Sequence, residues 1–148
     1  MPAGSAAALI CDTGALIDYL VESAPDHERF REAIDQARTR YVPGLVLAEV
    51  DYFLRDERPA MQALMADLAR GAFTYAEPSL RLLSRAIEID RAHDELELGL
   101  VDASIVALAE EIGVTRIATR DVRDFSAFRF ADGRRFDIVV QPSRPDRD

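Results

Sequence analysis

The chain predicts an α/β fold, with a mainly parallel sheet and helices on both of its faces. Three observations carry that prediction. Residues 7–11 and 115–119 are short apolar or β-branched runs, the length and content of strands covered on both sides. Between such runs lie segments whose apolar residues recur at i, i+3, i+4 and i+7, the spacing of one helix face. The resulting order, β-α-α-β-α-α-β-α-α-β-β, alternates strands with helix pairs, as parallel crossover connections require. In such a sheet the strand C-termini share one edge, and ligand sites gather there.

Composition bounds the rest. At 148 residues the chain has the length of one domain, with residues 1–6 and 142–148 expected as flexible ends. Apolar residues at 49% and charged ones at 30% give the balance of a soluble globular protein. No apolar run approaches the roughly 20 residues of a bilayer span. The first basic residue is Arg29, so the N-terminus lacks the charged region of a signal peptide. A lone cysteine, Cys11, fits a reducing cytoplasm and reads as a small buried hydrophobe. A net charge of −9 argues against simple backbone-driven binding of nucleic acid, but bound divalent cations would cancel part of it. All 18 basic residues are arginine, which by itself implies no function.

Taken in order, residues 7–11 form the first strand, and Thr13 is a natural N-cap for a helix whose stripe is Leu16, Ile17, Leu20 and Val21. Asp18 and Glu22 fall on its opposite face and are expected in solvent. A second helix, 26–38, turns Phe30, Ala33, Ile34 and Ala37 inward. His27 near its start is expected at the surface, since no second histidine or cysteine stands at metal spacing. After a short strand at 41–43, helix 45–55 places Leu45, Glu49, Tyr52 and Phe53 on one face. Helix 59–70 has proline in its first turn and faces Met61, Leu64, Met65 and Leu68 to the core. A strand at 73–76 precedes a helix with the stripe Leu82, Leu83, Ala86 and Ile87. Residues 94–97 are a solvated acidic connector, from which Glu95 or Glu97 could assist a metal through water.

The next helix carries Ile105, Leu108, Ala109 and Ile112 on one face and ends at Gly113, a C-cap glycine. Strand 115–119 follows, then a sharp exit loop carrying acids, an Asp132-Gly133 turn flanked by arginines, and a last strand at 136–140.

The acids fall where a bare fold does not want them. Asp102 precedes Ile105 by three and Val106 by four, so it shares their buried face, where an unpaired carboxylate is costly. Glu49 sits in an apolar stripe. Asp12 and Asp121 each leave the C-terminal end of a strand. Asp12 also has a structural reading as a second cap residue, and Glu49 one as a hydrogen-bonded core group. Together the four converge on one sheet edge as a candidate pocket for a hard cation, Mg²⁺ or Mn²⁺, which prefers oxygen ligands. Such ions activate water and clamp the oxygens of a phosphodiester.

These residues resemble a family. Asp12-Thr13-Gly14-Ala15-Leu16 after an apolar strand, Glu49 in the third helix, Asp102-Ala103-Ser104-Ile105 at a helix start, and Thr119-Arg120-Asp121-Val122-Arg123-Asp124-Phe125 are similar to the motifs of PIN-domain nucleases. The layout most resembles the VapC-type toxins of bacterial toxin–antitoxin pairs. The resemblance covers nearly the whole chain, from Ala7 to about Val140, and implies a Rossmann-like three-layer α/β/α fold and a metal-dependent ribonuclease. It also implies homodimers, an RNA substrate and an antitoxin whose tail blocks the site. It puts Asp12, Glu49, Asp102 and Asp121 in the catalytic, metal-binding set, with Thr13, Thr119 and Asp124 as possible support. Asp121 matches the family's pocket position better than Asp124, which is expected in the loop. Rivals are a haloacid-dehalogenase-like phosphatase, which needs a second acid where Gly14 stands, and a dinucleotide-binding domain, which wants a G-x-G-x-x-G turn. A scaffold of the same fold that only binds RNA or protein is the third rival.

Overall fold

A computed structural model describes residues 8–140. The ends expected to be flexible, 1–6 and 142–148, lie outside the described residues, as does the first residue of the expected strand 7–11. The order is β1 (Ala8–Cys11), α1 (Thr13–Leu20), α2 (His27–Gln36), β2 (Thr39–Pro43), α3 (Val46–Phe53) and α4 (Arg58–Ala69). It continues with β3 (Thr74–Ala76), α5 (Leu80–Ala92), a 3-10 turn at Asp94–Leu96, α6 (Gly99–Ile112), β4 (Arg116–Ala118), α7 (Val122–Ala127) and β5 (Asp137–Ile138).

The five strands form one sheet in the order β3-β2-β1-β4-β5, and every neighbouring pair is parallel. The chain steps outward from β1 through β2 to β3, then returns across the sheet to β4. Right-handed crossovers therefore put α1 to α4 on one face and α5 and α6 on the other, the three-layer α/β/α arrangement. The direction reverses between β1 and β4, the switch point where ligands bind in such sheets. Those two strands stay paired to their ends, the Asp12 N–H donating to the Ala118 carbonyl at 2.9 Å.

Each central strand is apolar throughout because both its faces are covered. Leu9, Ile10, Cys11, Ile117 and Ala118 are all buried. The α6 stripe goes inward as expected, with Ile105 and Val106 fully buried, and Gly113 caps the helix at φ +69°.

Four expectations fail, each through packing that periodicity does not resolve. Helix α3 buries Val46, Val50 and Leu54 instead, so Tyr52 and Phe53 on the expected face are 61% and 59% exposed. Met65 and Ile87 also lie exposed, because α4 and α5 each bury a narrower stripe than apolarity suggests. His27 is buried, and its Nδ1 donates to the Asp18 carbonyl at 2.8 Å. Asp18 is buried too: α1 lies under α2 and α3, so little of it faces solvent.

The expected exit loop contains a helix, α7. Six residues are too few to hold a helix unaided. Tertiary contact supplies what local propensity does not: Phe125 is fully buried and meets Phe136 edge-on at 5.2 Å, and Phe128 meets Phe130 at 5.1 Å. Burying one such phenyl ring stabilises by about 1.5–3 kcal/mol.

Candidate active site

Asp12 ends β1 and N-caps α1, accepting the Thr13 N–H on Oδ1 at 2.7 Å. Its other oxygen, Oδ2, accepts the Thr119 hydroxyl at 2.7 Å, so a side chain from the end of β4 fixes it. The Thr119 Oγ1 in turn accepts the Asp121 N–H at 2.9 Å. Thr13 donates its hydroxyl to Glu49 Oε1 at 2.6 Å and ties the first turn of α3 to that of α1. The two threonines thus join all three elements at the switch point.

Asp102 stands in the first turn of α6, and Asp121 N-caps α7, accepting the Asp124 N–H on Oδ1 at 3.4 Å. Carboxylate oxygens of Asp102, Asp121 and Asp124 lie within 4.8 Å of one another. Asp124 is therefore not in a loop, as expected, but in the first turn of α7 and within this group. The short helix that sequence reading missed is what aims it there. Glu97, at the left-handed end of the 3-10 turn, is near enough for its charge to act on Asp124, whereas Glu95 is exposed and outside the three-carboxylate group.

The electrostatics show what the group lacks. Asp102 is pushed up to about 8, first by burial and then by the charges of Asp12 and Asp121, with a hydrogen bond between the Asp102 and Asp121 carboxyls. Burial also raises Asp12; the bonds from Thr119 and Thr13 partly offset this, while Glu49 and Asp121 push it further up. Asp124 is raised for the same kinds of reason. Carboxylates crowded in this way favour a bound cation, which offsets their mutual repulsion. An all-oxygen donor set suits a hard divalent ion such as Mg²⁺ or Mn²⁺ rather than a thiolate- or imidazole-seeking one. Cys11 adds no reactivity, because burial pushes its thiol up to about 12.

Arg120 stands in the last motif, which by its sequence implies no role for it. Its guanidinium reaches Asp18 Oδ1 at 3.6 Å, and its side chain lies across the start of α1, where a Cβ on Gly14 would come within 2.6 Å of its Cδ. Glycine at that position is a condition of the crossing. A pocket of about 520 Å³ opens there, lined by Thr13, Gly14, Ile17, Phe53, Arg120 and Asp121. No sequence signal marked Phe53 as anything but core.

Comparison with known proteins agrees with this fold. Residues 9–131 match the model of the PIN domain. The chain is 34% identical over 134 residues to Ribonuclease VapC26 of Mycobacterium tuberculosis, an alignment covering 88% of this chain and 99% of that protein. Its fold is similar to that of the Mycobacterium tuberculosis toxin VapC20, described as cleaving the sarcin-ricin loop, with a TM-score of 0.74 at 20% identity over 90% of this chain and 99% of the other. It also matches a chain of a toxin–antitoxin complex from Klebsiella pneumoniae, with a TM-score of 0.68 at 20% identity over 90% and 99% of the two chains. With its acids at the switch point and the strands that carry them, β1 and β4, within the matched span apart from Ala8, this chain belongs to the PIN-domain family.

Proposed function

We propose that the chain is a divalent-metal-dependent endoribonuclease of the VapC type, the toxin of a toxin–antitoxin pair. The observation that carries this reading is the group of carboxylates from Asp102, Asp121 and Asp124 at the β1/β4 edge, on a chain similar to a ribonuclease over almost its full length. Asp12, Glu49, Asp102 and Asp121 would hold Mg²⁺ or Mn²⁺, with Asp124 supporting. When bound, the ion supplies an activated water and neutralises charge developing on the phosphodiester.

The chain's own residues prepare that site. Thr119 pins Asp12 Oδ2, and Thr13 pins Glu49 Oε1, so two of the acids are held in one orientation before substrate arrives. Asp121 is anchored through its own N–H to Thr119 and caps α7, which leaves its carboxyl between Asp102 and Asp124. Cleavage of total cellular RNA in Mn²⁺ and its loss in excess chelator test the proposal; cleavage that persists unchanged in chelator ends it.

The partners follow from the same reading. An antitoxin would block the site with a basic side chain, since an arginine fork matches clustered carboxylates bidentately. Copurification with the neighbouring gene product, and protection by it, is the expected result. A homodimer is supported by large apolar side chains left in solvent, Leu80 at 81% among them, and a mass measurement in solution checks it. No helix among the described residues is long and apolar enough to cross a membrane, in keeping with a cytoplasmic site of action.

A further inference from the structure

We infer that the groove between α1 and α3 is a nucleobase subsite, in which one base flanking the scissile phosphate lies against Phe53 while Arg120 holds the adjoining phosphate. The inference rests on the reading of the chain as a ribonuclease and deepens it.

The groove is built from two helices leaving the same sheet edge. Thr13 on α1 and Glu49 on α3 face each other across it at 2.6 Å, beside the acids. Four residues further along each helix stand Ile17 and Phe53, on the same faces and about one turn, roughly 5.4 Å, away. The pocket of about 520 Å³ spans that step, bounded at its inner end by Thr13 and Asp121 and at its outer end by Ile17 and Phe53. That volume is within the range of about 300–1,000 Å³ typical of small-ligand sites. A phosphodiester placed on the carboxylate group must send its neighbouring nucleotide somewhere, and this pocket is contiguous with the group through Asp121.

The lining chemistry matches a nucleotide. Phe53 exposes 59% of its surface although α3 could have buried it, and an exposed aromatic ring offers a face for stacking an unpaired base. Arg120 brings a cation to a chain of net charge −9, on the wall that adjoins the acids. Its guanidinium carries five N–H donors, more than one 3.6 Å contact with Asp18 engages. Buried Asp18 anchors the arginine from behind, so the cation is held in place before any ligand comes. An aromatic face with an arginine next to it is how proteins take single-stranded nucleotides.

The test begins by mapping where the wild type cuts total RNA in Mn²⁺. Oligoribonucleotides spanning one cut site are then made with a single abasic nucleotide at each position flanking it. Wild type, Phe53→Ala and Arg120→Lys are compared; the lysine keeps the charge beside Asp18 and loses the planar fork. Phe53→Ala should raise KM about tenfold, the scale of one lost stack, while leaving kcat within about twofold. One abasic position should impair the wild type by a similar factor and leave Phe53→Ala nearly unaffected, because the stack is already gone. Arg120→Lys should raise KM at every position without removing that sensitivity. If every abasic position affects wild type and Phe53→Ala equally, the subsite is wrong while the ribonuclease stands. If Phe53→Ala cleaves normally but no longer copurifies with a protein partner, the groove is a protein site and the inference falls. If the wild type cuts no RNA, the ribonuclease reading fails first and the subsite with it. Melting of both variants within a few degrees of wild type excludes misfolding as the cause.

Discussion

Asp12 and Asp18 stand six residues apart, at the start and in the middle of the same helix, and both are buried. Burial pushes both carboxyls up, and there the likeness ends. Around Asp18 the next influences are Arg120, which pulls it back down, Asp26, which pushes it up, and His27, which pulls it down. Around Asp12 the remaining charges, Glu49 and Asp121, are of its own sign. Burial of an acid is therefore not what marks the site. The mark is a buried acid whose neighbours are acids, held by the Thr119 hydroxyl and the Thr13 N–H rather than by a counter-charge. One arrangement is complete as folded, and the other is the one that the proposed cation would complete.

The largest effect expected from this contrast is on cleavage and stability together. Asp102→Asn should lower cleavage by at least about a hundredfold, since a metal ligand supplies several kcal/mol to the reacting charge. The same variant, and Asp12→Asn, should melt higher than wild type in chelator, because one member of a repelling set is gone. Asp18→Ala should do the reverse, costing about 1–3 kcal/mol as Arg120 loses its partner and α1 a packed side chain. Melting curves in chelator decide it. If Asp102→Asn, Asp12→Asn and Asp18→Ala all melt lower, the two regions are equivalent and the acids are structural.

A smaller effect separates the two acids of the last motif. Asp121 lies between Asp102 and Asp124 and is anchored to Thr119, whereas Asp124 hangs from α7 alone. Asp121→Asn should impair cleavage roughly tenfold more than Asp124→Asn, the scale seen when a metal's supporting partner is lost. Asparagine keeps the cap of α7, so the fold is not the variable. Equal losses, measured as initial rates on one RNA, would put Asp124 on a par with Asp121.

The smallest effect is on the pH dependence of stability. The folded pKa of Asp102, about 8, lies above its ordinary value of 3.8, so the folded state holds its proton more tightly than the unfolded chain. That contribution is fully present below about pH 4 and is lost as pH rises through about 8. Metal-free protein should therefore melt a few degrees lower at pH 8.5 than at pH 5.5, and the shift given by Mn²⁺ should grow over the same interval as the carboxylates deprotonate. In Asp102→Asn the slope should flatten. A slope unchanged in that variant would show that Asp102 is not the group that titrates.

Much of this was legible in the sequence, and the residues show why. Strands such as Leu9 to Cys11 are short apolar runs, and α6 has an unbroken apolar stripe ending in Gly113; period and capping are local properties that a sequence states directly. The motif acids were legible for the same reason, each being a charge set against an apolar period. Tertiary structure alone decided which face of α3 is buried, because Tyr52, Phe53, Val46 and Val50 are all apolar, and only the neighbouring surface selects among them. It decided that α7 forms, since six residues cannot nucleate a helix without the Phe125 and Phe136 contact. It also gave Asp18 an arginine 102 positions further on while leaving Asp12 without one. Such pairings depend on which strand ends are adjacent in space, and the register between β1 and β4 sets that for residues a hundred positions apart.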